Sequence, residues 1–478
     1  MRLKVRNFGP IKKVDIDFNQ LTIIIGKNNL GKSYLAQLHY TLLECSRRLV
    51  RYRPHLPPPI EYETEEADLI LYPPFGIMRE QFSDLGKRIK AENLSDSDVL
   101  DSLTKLIMND YAQRLQITMR LLLERSFGIK INKLVNINSN VAKISWDIID
   151  HLSANAQITR RGTLKVNLSL TRSGKRILKS ILESSKLFNL IRKARTHKPL
   201  HFARLYREIE RNLFSFRPEK PPRLRWRVRA FYIPAGRGGL LESYETVVGG
   251  LVSLSPLAPV RGLSMPPLPG MASQFYSVLL RLRGEKGPLS KIVAEAFKEM
   301  LQGDVQLRRV KGQPKSRLVY RFSLGEKTGT TDVIHAASMI KELAPICLIV
   351  QELVRPGDFL LIEEPESHLH PGAQIKFARV TGDLVSNGVN ILITTHSDIF
   401  LRAIGHLAGR SRIEKGSKML DWSSIAIYWL KDNKLGCSSV IVKLSRHGIL
   451  EDIPTFDEIV KDLYEEEQEL EKEAQKEK

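Results

Sequence analysis

Hydrophobic residues along this chain fall into two kinds of run. In Arg2–Asn7 and Lys13–Phe18 they occupy alternate positions, and Gly9-Pro10 separates the two segments. That spacing predicts an antiparallel hairpin. Leu21-Thr22-Ile23-Ile24-Ile25 is apolar or β-branched throughout, as a strand buried on both faces would be. Ser33–Leu49 then carries Leu35, Leu38, Leu42, Leu43 and Leu49 at helical spacing, with no Gly or Pro. Later, Asp358–Ile362 and Val389–Thr395 repeat the continuous, strand-length type, one running into Glu363-Glu364 and the other into His396.

Between these runs the pattern is mixed. The breaker-rich segment 51–59 predicts the start of an insertion, with Asp96 or Ser97 capping a long helix that carries Leu100, Leu103, Ile107, Leu115 and Leu122. Strand-like runs follow at Ile129–Val135, Val141–Ile149 and Thr163–Leu170, then basic helical stretches over Lys175–Ala194 and Pro199–Leu213. A second breaker cluster at Phe216–Pro222 returns the chain to a core strand, Arg227–Ile233. A surface loop over Pro256–Pro269, helices over Ala272–Leu282 and Pro288–Leu301, and strands over Val305–Val310 and Leu318–Phe322 are expected next. Gly325–Thr331 reads as a flexible loop, and the segment from Glu465 as solvated helix or disorder. The implied domains are 1–50 and 226–445, forming one folded body, a basic α+β insertion at 51–225, and an acidic tail at 446–478.

Composition adds limits. A chain of 478 residues with 42% apolar content supports a real core rather than disorder. Cys45, Cys347 and Cys437 stand singly, so no disulfide framework or zinc site is indicated. The longest apolar run, Leu343–Val350, falls far short of the ~20 residues of a membrane span, and the first residues alternate rather than forming a signal peptide. A cytoplasmic protein with no membrane partner is expected. The net charge of +21 is unevenly placed: from His151 to Ala230 there are 21 Lys and Arg against four acidic residues, whereas from Glu451 there are 12 acidic against 4 basic. The basic block is either a phosphate-backbone surface or a solvated face.

The candidate chemistry sits at the ends of the continuous runs. Gly26-Lys27-Asn28-Asn29-Leu30-Gly31-Lys32-Ser33 fits G-x-x-x-x-G-K-[ST], between a predicted strand and a predicted helix. In that context Gly26 and Gly31 let successive N–H groups, including those of Asn28 and Asn29, cradle phosphates at a helix N-terminus. Lys32 then neutralises the β/γ oxygens and the Ser33 hydroxyl completes a Mg²⁺ shell. Glu363 and Glu364 close a strand whose carboxyl end would face the same crevice. One acid can hold Mg²⁺ and the other polarise an attacking water. His396 would lie beside the γ-phosphate, and Arg237 either senses that phosphate or ties down a turn.

These segments resemble the ABC-class ATPases of the OLD and SMC-like group. The resemblance rests on the hairpin with Gly26–Ser33, on Leu361–Pro371, on Thr394–Ser397, on Tyr232–Leu241, and on Ala337–Pro345 as a signature helix. It implies an α/β fold: an ABC/SMC-like P-loop ATPase head, with a mixed sheet and N-terminal antiparallel hairpin, interrupted by a large α+β insertion. It also implies ATP and Mg²⁺, with Lys32 and Ser33 on phosphate and metal, Glu363 supporting the metal, Glu364 as the catalytic carboxylate and His396 as the switch histidine. Ser338 would reach a partner head's γ-phosphate in an ATP-dependent homodimer. Met339 stands where the group has glycine, Glu363 replaces the commoner Asp, and only Gln81 suggests itself for the glutamine loop. OLD-type nucleases add a Toprim domain with an Asp-x-Asp pair, and none follows His396.

The expected function is therefore ATP hydrolysis driving head pairing. The protein would act on nucleic acid through 151–230 or control a separately encoded effector nuclease in defence or repair. A ribosome- or RNA-associated ATPase is the alternative, and a transporter ATPase subunit a weaker one.

Overall fold

The structure, a computed structural model, describes residues 1–51, 95–182, 229–254, 270–309, 316–413, 420–433, 436–445, 447–450 and 457–476, with isolated positions at 84, 87, 88 and 209. Strands β1 (Arg2–Phe8), β2 (Ile11–Asp17) and β3 (Leu21–Gly26) lead into helix α1 (Lys32–Arg51). Helix α2 (Asp96–Phe127) and a 3-10 turn (Ile131–Leu134) precede β4 (Val141–Ile149), β5 (Leu152–Thr159), β6 (Leu164–Leu170) and α3 (Arg172–Leu182). After β7 (Ala230–Ile233) come α4 (Arg237–Leu254), α5 (Gly270–Leu279), α6 (Ser290–Leu301), and β8 (Gly303–Arg309), β9 (Ser316–Leu324) and β10 (Lys327–Asp332). Helix α7 (Ser338–Leu348), β11 (Phe359–Glu363), α8 (Pro371–Ser386), β12 (Asn390–Thr394) and α9 (Asp398–Ile413) follow. Strands β13 (Ile425–Asn433) and β14 (Gly436–Val442) and helix α10 (Asp457–Lys476) end the chain. These elements fall into two compact units, Met1–Asp15 with Thr41–Val228, and Ile16–Tyr40 with Arg229–Lys478.

The second unit is built on β3. Its neighbours β12 and β13 run parallel to it, β11 and β7 extend the parallel set beyond β12, and β14 closes on β13 antiparallel. This is the mixed sheet the resemblance implied. Every residue of β3 is buried, as are the last four of β11 and of β12, because helices cover both faces of such a sheet. Phe231, Ile233, Phe275, Phe297, Leu343, Ile362 and Phe377 share one core. On α1, His39 stacks on Phe18 with ring centroids 3.7 Å apart. Its Nδ1 is buried without a hydrogen bond, and burial pushes the imidazole pKa down to about 3.

The first unit follows the other pattern. Strands β1, β4, β5 and β6 pair antiparallel in that order and bury alternate residues: Leu3, Val5, Ala142, Ile144, Trp146, Ala154, Ala156 and Val166. Helix α2 packs against β6, where the Val166 N–H donates to Gln116 Oε1 at 3.2 Å. Ser95, not Asp96 or Ser97, caps α2, in a reciprocal capping box with Asp98, and Gly128 ends the helix at φ 66°.

Several expectations change. Ile129–Val135 is not a strand: Ile131 and Leu134 are the buried pair of a 3-10 turn, whose period of three puts both on one side. Leu152–Thr159 is a strand that hydrophobicity did not announce, because two of its four buried residues are alanine. Gly325–Thr331 is not a flexible loop, since β10 pairs with β9 across Lys327–Asp332. Of the two readings of the segment from Glu465, the structure shows the helix, in α10. The linker after Arg51, the loop at 256–269, Gln81 and the 199–213 helix lie outside the described residues, apart from position 209.

Candidate functional site

The site assembles at the carboxyl ends of β3, β11 and β12, within the second unit. At the end of β3 the chain turns sharply. Gly26 has φ 151°, and a Cβ there would meet the Leu430 carbonyl oxygen at 2.8 Å, so only glycine fits. Asn29 at φ 62° and Gly31 at φ 89° continue the curl, and α1 begins at Lys32. Lys27, Asn28 and Asn29 stay exposed while Lys32 is buried. The Lys32 ammonium donates to the carbonyls of Gly26 at 2.9 Å and Lys27 at 2.8 Å, folding back over the loop. Burial pushes its pKa down to about 8, against the pull of Glu364, Glu366 and Glu363. Ser33 is half-buried in the first turn of α1, where backbone N–H groups have no helical partners.

Glu363 is the last residue of β11 and is buried. Its Oε2 accepts the Ala235 N–H at 3.2 Å, while Oε1 has no hydrogen bond. The Tyr232 phenol is buried beside it, and burial, then the Glu363 charge, raises its pKa well above the usual tyrosine range. An orphaned carboxylate oxygen in such a place fits a cation.

Glu364 takes φ 43°, a left-handed conformation that side-chain-bearing residues rarely adopt. Its N–H donates to the Thr394 carbonyl at 2.8 Å, which latches the turn to the end of β12. The Glu364 Oε1 lies 3.8 Å from His396 Nε2. Both side chains are about one-third exposed, at 36% and 33%. Burial and then the Lys32 charge hold the His396 imidazole below its ordinary pKa, with Glu364 acting the other way. A third acid, Glu366, anchors this arrangement. Its Oε1 accepts the His396 N–H at 2.6 Å, and burial raises its pKa. The Ser397 hydroxyl donates to Gln374 Oε1 at 2.5 Å and accepts the Phe400 N–H at 3.0 Å, capping α9.

Arg237 is wholly buried at the start of α4. Its guanidinium donates to the carbonyls of Pro234 (3.3 Å), Glu363 (2.9 Å), Glu364 (3.4 Å) and Glu342 (3.0 Å). Nε also lies 3.2 Å from Glu342 Oε2, while Glu342 Oε1 accepts the Gly238 N–H at 3.1 Å. Of the two readings of Arg237 this geometry favours the tether, because the guanidinium faces carbonyl oxygens. Glu342 belongs to α7, whose first residue, Ser338, is exposed.

The structure thus brings Gly26–Ser33, Glu363, Glu364, Arg237 and His396 into one unit, with Ser338 on its surface. Sequence reasoning gave no role to Glu366, though three acids in four residues at a strand end were a signal. Nothing in the sequence links Glu342 to Arg237, which are far apart along the chain. Of the basic block, 151–182, 209 and 229–230 are described, and they include β5, β6 and α3. Arg172, Lys175, Arg176 and Lys179 are exposed at helical spacing along α3, and the Arg192-Lys193-Arg195 cluster lies outside the described residues. No helix among the described residues is long and apolar enough to cross a membrane.

A family profile for the AAA ATPase domain matches residues 1–214 and 332–401, more than half of the chain. No curated protein matches. Solved structures similar to the chain include the SMC head bound to the C-winged helix domain of ScpA, at 12% identity and TM-score 0.40, with 93% of this chain and 98% of that one covered. The SMC head domain from Thermotoga maritima is 11% identical at TM-score 0.36, with 92% and 98% covered. The Smc head with an extended coiled coil, bound to the C-terminal domain of ScpA derived from Pyrococcus furiosus, is 12% identical at TM-score 0.37, with 97% and 98% covered. With a phosphate loop, an acidic strand end and this profile match in one chain, the protein belongs to the AAA ATPase domain family and is a P-loop ATPase.

Proposed function

We propose that the protein is an OLD/SMC-like switch in which ATP binding pairs two heads and hydrolysis releases them. The switch acts on nucleic acid directly or controls a separate effector nuclease. The head is assigned to 1–50 with 226–445, the insertion to 51–225 and the tail to 446–478. The observation that carries the reading is the pairing of Glu364 with His396 beside a buried lysine, while Ser338 stands exposed at the N-terminus of α7. An exposed helix N-terminus on an ATPase head is a surface that a second copy's phosphates can complete.

In this reading the N–H groups of Gly26–Ser33 cradle the phosphates, and Lys32 leaves its carbonyl partners to neutralise them. Ser33 and Glu363 hold Mg²⁺, which supplies charge neutralisation on the β- and γ-oxygens when bound. Glu364 accepts a proton from the attacking water. His396, held neutral, positions the reacting groups through Nε2. The exposed cations of α3 give nucleic acid an electrostatic footing. The buried residues Cys45, Cys347 and Cys437 form no disulfide, which suits a reducing, cytoplasmic setting.

Glu364→Gln tests the reading. Turnover should fall about 10²–10⁴-fold while ATP binding persists, and light scattering with ATP should show a trapped dimer. Wild-type turnover would remove Glu364 from its role, and a monomer at saturating ATP would sink head pairing.

A further inference from the structure

The exposed face of the β1-β4-β5-β6 sheet has a cationic end that the ATPase chemistry does not use. The strand registers place Arg6 opposite Lys143, Lys143 opposite Gln157, and Gln157 opposite Lys165, in one line across four strands. The next line in register is Lys4, Ser145, Asn155 and Asn167. Arg6, Lys143, Gln157 and Lys165 are all exposed, on the side away from Val5, Ile144, Ala156 and Val166.

The two ends of this face differ in charge. Toward Arg2 the cations are neutralised: Asp15 lies 2.8 Å from Arg2 and 3.7 Å from Lys4, and Asp147 accepts the Arg2 N–H at 3.1 Å. At the other end, no carboxylate among the described residues pairs with Arg6, Lys143 or Lys165. Three unpaired cations in register, next to a row of amides and a hydroxyl, form a surface built for an extended polyanion.

We propose that this row holds the sugar–phosphate backbone of a nucleic-acid duplex. With strands about 4.8 Å apart, the row covers about 14 Å, along which one strand of a duplex carries about four phosphates. Neither row contains an aromatic residue, so the face offers no platform on which unpaired bases could stack. Lys and Arg with Asn, Gln and Ser are the groups that contact phosphate and sugar without reading sequence. The inference rests on the nucleic-acid reading above and shares Lys165 with its basic stretch, but it places the contact on the open face of β1, β4 and β6 rather than on α3.

The test is binding of a double-stranded DNA and a single-stranded DNA of equal length to the full chain across a salt series. It compares wild type, Arg6→Gln/Lys143→Gln/Lys165→Gln, and Arg172→Gln/Lys175→Gln/Arg176→Gln/Lys179→Gln. The sheet variant should keep the wild-type melting temperature and ATP turnover, lose at least tenfold in duplex affinity at low salt, and lower the salt slope by about 2–3. Unchanged duplex affinity and slope overturn the proposal. If only the α3 variant weakens binding, the sheet face is excluded while the nucleic-acid reading stands. If wild type binds neither DNA, both fail. Tighter binding of single strands through the sheet row overturns the duplex assignment. An equal loss of binding to polyglutamate points instead to an acidic protein.

Discussion

The two units use β-structure in opposite ways. In the second, parallel strands are enclosed on both faces, and the chemistry gathers where they end, at Gly26, Glu363 and Thr394. In the first, antiparallel strands bury alternate residues and leave one face open. Enclosure leaves only strand ends and loops in which to place reactive groups, whereas alternation offers a whole surface and little depth. Depth shifts pKa values, as at Lys32 and His396. Deep groups suit bond-breaking and shallow ones suit contact.

The sharpest test of that contrast is Lys32→Ala. Removing the buried charge at the strand end should lower kcat by about 10²–10³-fold with little change in melting temperature. A loss under threefold in steady-state turnover would break the comparison.

Arg237→Met probes depth as stability. It removes one partner of a buried pair and leaves Glu342 and four carbonyls facing apolar surface, so urea unfolding should show a loss of about 3–5 kcal/mol. Glu342→Gln, which keeps an acceptor for the Gly238 N–H, should cost less than Arg237→Met. Equal, negligible losses would mean that the tether contributes nothing.

The effect that is smallest at neutral pH, and grows only in acid, concerns His39. Its folded pKa of about 3 lies below the ordinary value of 6.5, so below pH 6.5 the unfolded chain takes a proton that the folded chain refuses. Stability is complete above pH 6.5 and falls toward pH 3 by about 1.4 kcal/mol per pH unit from this group. His39→Gln should remove that increment from the acid limb of a urea-unfolding profile. A limb of unchanged slope would show that His39 does not titrate this way.

What the sequence made legible follows the same division. Enclosed strands are unbroken apolar runs, so β3, β11 and β12 could be read directly, and with them the loop and the acids at their ends. On the open sheet β5 escaped because Ala154 and Ala156 bury little area and signal weakly, and the 3-10 turn at Ile131–Leu134 imitated a strand. Arg237 with Glu342, and the Arg6–Lys143–Lys165 line, escaped for another reason. Each is a meeting of residues distant in sequence, which only register and packing reveal.

Glu363 Oε1 has a consequence outside catalysis. A buried acceptor without a partner holds back roughly 1–3 kcal/mol that a ligand satisfying it can release. The stability of the protein is thereby linked to cation and nucleotide occupancy: the unfolding free energy rises by RT ln(1 + [L]/Kd), and the melting temperature rises with it. A heat-unfolding scan against a panel of nucleotides and divalent ions would rank ligands without any turnover assay.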